Sequence, residues 1–288
     1  MAKAAFFGPP GSNGHEALQR YLDRWASGGP EWVKVPCDAQ SDTISAVASG
    51  KAEIGIFAFE NSTIGPVLEV ERRLYQALRD GDGITLVGEV EMPIAHYLLG
   101  PGGKLDDVRE TISHPAAGGQ CQSWLREHGI EFRAFGSTAA AVEQVMKDGD
   151  PRRAAIGSRL AAEIYHANIL AENIQDEQGN STTFLLVGRE PAQRSGRDRS
   201  IILFEPKTAY ETGALHRALG PFTLWHVNMY MIHTVRYSLP NGSTGGLKPV
   251  RFYVGIEGHL DESNIARAVQ EMSGFCEVFH SLGSFPAW

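Results

Sequence analysis

Asn180-Ser181-Thr182-Thr183-Phe184-Leu185-Leu186-Val187-Gly188 is the stretch on which the reading of the chain turns. Four polar side chains run directly into an apolar run. Phe184 to Val187 has the length and composition of a buried strand. Polar groups at the mouth of such a strand can face a cleft, because ligands in open α/β sheets sit at strand ends. Working outward, the same grammar recurs upstream. Lys3 to Phe7 reads as a strand, Gly8-Pro9-Pro10-Gly11-Ser12-Asn13-Gly14 as a loop, and His15 to Trp25 as a helix. Its Ala17, Leu18, Tyr21, Leu22 and Trp25 share one face. Glu53 to Phe59 reads as a strand that runs into Glu60-Asn61-Ser62-Thr63-Ile64-Gly65, followed by a helix from Val67 to Leu78. Charged and amide groups at the end of a buried strand are costly unless solvated, paired or bound to something.

Further along, Ile84 to Met92 and His96 to Leu99 read as strands leading into a second lobe. Ser113-His114-Pro115 precedes a helix expected over Gly118 to His128. Phe132 to Phe135 is a strand, and Ser137-Thr138 caps a helix through Met146. The strand Ala154 to Ile156 and the helix Ser158 to Tyr165 complete the pattern. Repeated strand–loop–helix units predict a parallel α/β architecture. Polar clusters at Ser12, Glu60 to Thr63, Ser113-His114, Ser137-Thr138 and Ser181 to Thr183 all flank predicted strands, which predicts loops converging on one cleft. The glycine loop followed by a helix suits a phosphate or carboxylate. Its spacing matches neither a P-loop nor a dinucleotide fingerprint, so no nucleotide is inferred. His15, His96 and His114 read as structural residues.

Glu190 to Arg199 breaks the pattern with Pro191, Ser195, Gly196 and alternating charges, as a linker does. After it come a strand (Ser200–Glu205), a helix (Gly213–Leu219), a long strand (Val227–Leu239) and a turn (Asn241–Gly246). A strand (Val250–Glu257), a helix (Asp261–Ser273) and a strand (Glu277–Leu282) follow. The order βαββαβ predicts one sheet with helices on one face. The domain division is therefore 1–190, a linker over 191–199, and 200–288.

The chain has 288 residues and a formal charge of -8, with 42% hydrophobic residues. That balance is of a soluble globular protein, and the acidic charge argues against nucleic acid as a partner. No apolar run has membrane-spanning length, and the N-terminal apolar stretch is too short for a signal peptide. Cys37, Cys121 and Cys276 are odd in number and far apart. They argue for a reducing, cytoplasmic setting without a disulfide framework or a cysteine metal site.

Taken in order, these motifs resemble the prephenate dehydratase family along nearly the whole chain. Gly8-Pro9-Pro10-Gly11-Ser12 is similar to the family's opening loop. Glu60-Asn61-Ser62 with Gly65 resembles its ENSxxG motif, Ser113-His114-Pro115 with Gln120-Cys121 its SHPxxxxQC segment, and Ser137-Thr138-Ala139 its STA motif. The closing ~90 residues resemble an ACT regulatory domain, with Gly213-Ala214-Leu215 and Leu282-Gly283-Ser284-Phe285-Pro286. The resemblance implies an α/β fold with a two-lobed, periplasmic-binding-protein-like catalytic region followed by a βαββαβ ACT domain. It implies conversion of prephenate to phenylpyruvate with loss of water and carbon dioxide. Neither a metal nor an organic cofactor is implied.

For the site, the resemblance implies that Thr182 assists departure of the ring hydroxide. Substrate would be bound by Ser12, Glu60, Asn61, Ser62, Ser113, Ser137, Thr138, Thr183 and Phe184. A regulatory amino acid, phenylalanine, would be bound near Gly213, Ala214, Leu215 and His233. A homo-oligomer, dimer or tetramer, is implied, with no nucleic-acid or membrane partner. Four departures stand out. Thr183 replaces the family's arginine, Asn13 an aromatic residue, Ala58 a proline, and His233-Thr234-Val235-Arg236 the Glu-Ser-Arg-Pro segment. A threonine cannot grip a carboxylate bidentately, which predicts weaker substrate binding or a compensating cation, with Arg159 the nearest in sequence. Two other readings stay open: a non-aromatising prephenate decarboxylase, and a non-catalytic sensor of a keto acid or aromatic amino acid.

Overall fold

Apolar strand runs alternating with one-faced helices set the architecture. The computed structural model describes residues 1–25, 31–207, 211–237 and 250–288. In chain order the elements are β1 (Ala2–Phe7), α1 (Asn13–Trp25), β2 (Trp32–Cys37), α2 (Gln40–Ala48), β3 (Ile54–Asn61), β4 (Gly65–Pro66) and α3 (Leu68–Asp80). Then come β5 (Thr85–Pro93), β6 (Tyr97–Gly100), β7 (Glu110–Ser113), α4 (Pro115–Gln120), α5 (Gln122–Glu127), β8 (Glu131–Ala134), α6 (Thr138–Asp148), β9 (Arg153–Gly157), α7 (Arg159–Tyr165), β10 (Asn168–Ala171) and β11 (Ser181–Gly188). The last stretch holds β12 (Asp198–Pro206), α8 (Ala214–Leu224), β13 (Met229–Arg236), β14 (Val250–Glu257), α9 (Ser263–Ser273) and β15 (Cys276–Pro286). The expected strand Val227–Leu239 is thus β13. Its last expected residues, 238–239, and the expected turn Asn241–Gly246 lie outside the described residues. The single helix expected over Gly118–His128 is two, because Cys121, at φ -120° and ψ 14°, interrupts the helical backbone between α4 and α5.

Three sheets result. The first has the order β2-β1-β3-β11-β5 with β4 on β3, and the second the order β10-β6-β9-β7-β8. The second sheet is mixed where the strand–loop–helix units predicted parallel strands. β7 runs parallel to β8 and β9, while β6 runs antiparallel to β9 and β10. Parallel neighbours need a helical crossover. β7, β8 and β9 are joined through α4, α5 and α6, whereas β6 and β10 bring the chain into and out of the sheet. The third sheet, β13-β14-β12-β15, is antiparallel throughout. With α8 and α9 it realises the predicted βαββαβ order.

Contacts divide the chain into two units: residues 1–46, 55–65 and 90–184, and residues 47–54, 66–89 and 185–288. In the first, Leu98, Val108, Cys121, Leu125, Ala154 and Ile156 pack on one face of the second sheet. Leu99, Ile112, Ala141, Val142, Val145 and Ala155 fill the other. In the second unit, Ile202, Phe204, Val254 and Ile256 of the antiparallel sheet bury against Ala218 and Phe222 of α8 and Ile265, Ala268 and Met272 of α9.

α3 also belongs to this second unit, through an unusually polar contact. Tyr253 donates its hydroxyl proton to the Glu71 carbonyl at 2.7 Å, and the buried Glu71 carboxylate lies 3.6 Å from His233 Nδ1. The Arg251 guanidinium lies 3.2 Å from the Tyr75 ring centroid and 4.3 Å from that of Tyr237. It donates twice to Glu205 Oε1, at 2.9 and 2.6 Å. Buried charge pairs of this kind add little net stability but penalise any other packing, since a lone partner would be left desolvated.

One glycine in the first unit is fixed by close packing. A Cβ at Gly118 would lie 2.2 Å from Cζ of Phe132, so α4 can approach β8 only without a side chain there. Gly118→Ala should therefore lower stability by about 1–3 kcal/mol, the usual cost of overpacking. The check is the urea midpoint, which should fall; an unchanged midpoint would show that Phe132 moves aside freely.

Candidate active site

One cavity of about 750 Å³ lies within the first unit, a size suited to a small organic ligand. Its wall combines the glycine loop and start of α1 (Phe7 to Pro10 and Ser12 to Gly14), the end of β3 (Ile56 to Ala58, and Asn61), the mouth of β11 (Asn180, Thr182, Phe184), the start of α4, and Gly136-Ser137-Thr138 before α6. These are the convergent polar loops expected at strand ends. Phe7, Ile56, Phe57, Ile64, Ile94 and Phe184 give the wall its apolar part.

Strand alternation decides which side chains of the opening stretch matter. Thr182 and Phe184 line the cavity and Thr183 does not, as a side-chain period of two requires. Residue 183 is on the other face of β11. The substrate-binding role expected of Thr183 thus has no place on the wall of this cavity. Arg159 is not on the wall either; it pairs with Glu172 at 3.1 Å and lies over the Tyr97 ring.

Asn61 organises the mouth of β11. Its Oδ1 accepts the backbone N–H groups of Thr63 and Ile64, both at 3.0 Å. That fixes the amide, so Nδ2 must be the end facing β11. Nδ2 donates to Asn180 Oδ1 at 2.7 Å, Thr182 Oγ1 at 2.9 Å and the Ser181 carbonyl at 3.1 Å. Thr182 Oγ1 is therefore an acceptor from Asn61, and its own proton is left to donate. Thr182 is 6% exposed, so that donor acts away from competing bulk water. Ser62 closes the loop: its Oγ accepts from Ser181 N at 2.9 Å, and its N–H donates to the Ser181 carbonyl at 2.9 Å.

Among the described residues the wall carries one carboxylate, Asp38, and no lysine or arginine. Positive potential comes instead from helix starts. Ser12 opens α1: its Oγ donates to the Phe7 carbonyl at 2.8 Å and accepts from His15 N at 3.3 Å. Ser137 caps α6, accepting from Ala140 N at 3.1 Å. The first-turn N–H groups of each helix have no intrahelical acceptor and sit at the positive end of its dipole. Asn13, Gly14 and Thr138, all on the wall, belong to those first turns. Two helix starts on one cavity suit a ligand with carboxylates.

The glycine loop is held from behind. Ser158 donates to the Gly11 carbonyl at 2.8 Å and Tyr165 to the Pro10 carbonyl at 3.0 Å. Gly11 has φ +85°, and a Cβ there would lie 2.9 Å from Ala161 Cα. His15 Nδ1 accepts the Gly11 N–H at 3.1 Å, and the ring stacks on Phe6 with centroids 4.7 Å apart. Burial, helped by Lys34, pushes the His15 pKa down to about 4, so the ring is neutral with its proton on Nε2.

Other expected site residues fall outside the wall. Ser113 is fully buried and donates to the Ile156 carbonyl at 2.8 Å, so it pins β7 to β9 away from the wall. Glu60 and Ser62 are not on the wall, though Ser62 steadies Asn61's neighbours. Gly213, with φ 80°, is the N-cap of α8, and Ala214 and Leu215 begin that helix. His233 is buried beside Glu71, which leaves it no open side for a ligand. Conversely, sequence reasoning passed over Gln120 and Asn180 and read His96 as structural, yet all three are on the wall. Gln120 and Asn180 stood inside quoted motifs; His96 was read as structural because it precedes an apolar strand.

A family model described as prephenate dehydratase matches residues 4–192. The chain belongs to the prephenate dehydratase family. It is 33% identical over 287 residues to a bifunctional N-acyl-homoserine lactone acylase/prephenate dehydratase of Komagataeibacter europaeus, covering 98% of this chain and 95% of that protein. It is 30% identical to a bifunctional chorismate mutase/prephenate dehydratase of Aquifex aeolicus, covering 99% of this chain and 73% of that one. Among solved structures, a prephenate dehydratase from Arthrobacter aurescens in complex with L-Phe superimposes with TM-score 0.81 at 27% identity, covering 99% of this chain and 90% of that chain. GqqA, described as a quorum quenching acylase, does so with TM-score 0.82 at 32% identity, covering 99% and 98%.

The buried neutral His15 yields a pH signature. Below pH 6.5 the unfolded chain takes up a proton that the folded one refuses until about pH 4. Stability from this group is therefore complete above 6.5 and falls as pH drops toward 4. His15→Gln should flatten the fall of Tm between pH 6.5 and 4, read by thermal denaturation. An unchanged slope would show that His15 is not the responsible group.

Proposed function

We propose that this protein is a prephenate dehydratase, and the observation that carries the reading is the Asn61–Thr182 hydrogen bond at the mouth of β11. In the reaction the bond between the ring and its carboxylate breaks and releases carbon dioxide. The electron pair moves through the ring, which becomes aromatic, and the ring C–O bond breaks. The departing hydroxide takes a proton and leaves as water. Thr182, already accepting a hydrogen bond from Asn61, donates its own toward the departing oxygen. A threonine hydroxyl is too weak an acid to be the proton source, so it stabilises developing negative charge while solvent supplies the proton. The first turns of α1 and α6 receive carboxylates, and the apolar wall receives the ring. Holding the substrate without a guanidinium avoids over-stabilising the carboxylate that must be lost.

Thr183 had suggested a changed chemistry, such as decarboxylation alone. Its place on the far face of β11 removes that motive. Acylase chemistry, as in the name of the Komagataeibacter relative, needs an activated nucleophile. The cavity hydroxyls of Ser12, Ser137 and Thr182 are hydrogen-bonded to backbone or to Asn61, and none of those bonds is to an imidazole. We further propose that residues 1–190 are the catalytic part, 191–199 the linker and 200–288 an ACT-type regulatory domain. It would bind an aromatic amino acid near Gly213 to Leu215 in a cytoplasmic homo-oligomer. The L-Phe complex of the Arthrobacter relative supports the ligand class. With His233 buried, phenylalanine should bind more weakly than where the Glu-Ser-Arg-Pro segment is present.

Incubation with prephenate should yield phenylpyruvate, read by its ultraviolet spectrum. Thr182→Ala should lower kcat by about 100–1000-fold with little change in KM, the usual loss for one donor to a developing oxyanion. An undiminished kcat would remove the role assigned to Thr182. Thr183→Arg should leave kcat/KM within about threefold of wild type, since a side chain on the far face of a strand does not reach the cavity. A large gain would show that an arginine at 183 does reach the substrate.

A further inference from the structure

His96 and Gln120 form a pair on the cavity wall that the proposed reaction has not yet used. His96 Nε2 lies 2.6 Å from Gln120 Oε1. His96 is 6% exposed, and burial lowers its pKa against the opposing effect of the Gln120 bond. The backbone around it is tied on both sides. Its N–H donates to Gln175 Oε1 at 3.0 Å, and its carbonyl accepts from Ile174 N at 3.0 Å. Gln120 is anchored at the end of α4, where its carbonyl accepts from Asp176 N at 2.7 Å. The two side chains therefore meet with little freedom.

Oε1 of a carboxamide can only accept, so the imidazole must present a proton on Nε2. The Gln120 NH2 is then the end left for the cavity. We propose that His96 is a positioning residue, locking the Gln120 carboxamide so that Gln120 offers a fixed second donor to the carboxylate-bearing substrate. This rests on the prephenate dehydratase reading of the same cavity. An unlocked carboxamide can turn its oxygen toward the ligand, and an oxygen facing an anion repels it. A fixed NH2 is preorganised and pays no reorientation cost during the reaction. The arrangement parallels Asn61 and Thr182, where one fixed amide decides which way a second group points.

The test combines kinetics with ring tautomer. His96→Leu should lower kcat/KM about 10- to 100-fold, a usual loss when a substrate contact is misplaced. His96→Gln, which can still donate toward Gln120, should recover most of it. Gln120→Leu combined with His96→Leu should be no worse than Gln120→Leu alone, because coupled residues are non-additive. Additive losses, or failure of His96→Gln to recover activity in a folded protein, would overturn the proposal. Nitrogen NMR of the wild-type histidine ring at neutral pH should show the proton on Nε2. A proton on Nδ1 would mean the amide is turned the other way and would also overturn it. The NMR result stands apart from turnover: absence of phenylpyruvate formation by the wild type would refute the functional reading, whatever the tautomer.

Discussion

The amide of Asn61 is the constraint on which the rest of the site depends. Two backbone N–H groups, those of Thr63 and Ile64, hold its oxygen, so its nitrogen faces β11. That nitrogen makes Thr182 Oγ1 an acceptor and frees the hydroxyl proton for the cavity. A weak acid becomes useful through direction, not through acidity. The tight loop after β3 is what brings the backbone donors to Oδ1, so the local turn at Thr63-Ile64 sets the hydrogen bonding of Thr182, a residue 119 positions away from Thr63 in sequence.

Charge is handled by backbone in the same spirit. The wall has no lysine or arginine among the described residues, and Asp38 adds a negative charge. Helix starts compensate: Asn13 and Gly14 at α1, and Ser137 and Thr138 at α6, present first-turn N–H groups. Such partial charges are fixed in place by the helices and need no reorganisation. The loop that opens α1 is in turn held by Ser158, Tyr165 and His15. In the second unit, by contrast, ionisable side chains are buried. Glu71 faces His233, and Arg251 lies between two tyrosine rings, which fixes where α3 packs against β13 and β14.

The sequence made much of this legible, and the reasons differ by residue. The βαββαβ tail was readable because each strand and helix carries its own periodicity. That Thr182, Asn61, Ser137 and Thr138 would meet on one cavity was readable because their polar clusters all flank strand ends. Thr183 lies off the wall because a motif reads residues consecutively while a strand presents them to alternate faces. Ser113 lies off it because its hydroxyl is turned to the Ile156 carbonyl, which the local sequence does not reveal. His96 and Gln120 are 24 residues apart, and their bond exists only once α4 packs beneath the second sheet. The break at Cys121 was hidden by residues that all tolerate a helix.

The most direct measurement is the single-turnover rate of the chemical step in Asn61→Asp, Thr182→Ala and the combined variant, acting on saturating prephenate. An aspartate at 61 keeps an oxygen for the Thr63 and Ile64 amides but offers Thr182 a second acceptor in place of a donor. The threonine proton should then turn away from the substrate. The account predicts that Asn61→Asp slows the step at least as much as Thr182→Ala, and that the combined variant is no slower than the worse single one. A wild-type rate in Asn61→Asp, or losses that multiply in the combined variant, would contradict it.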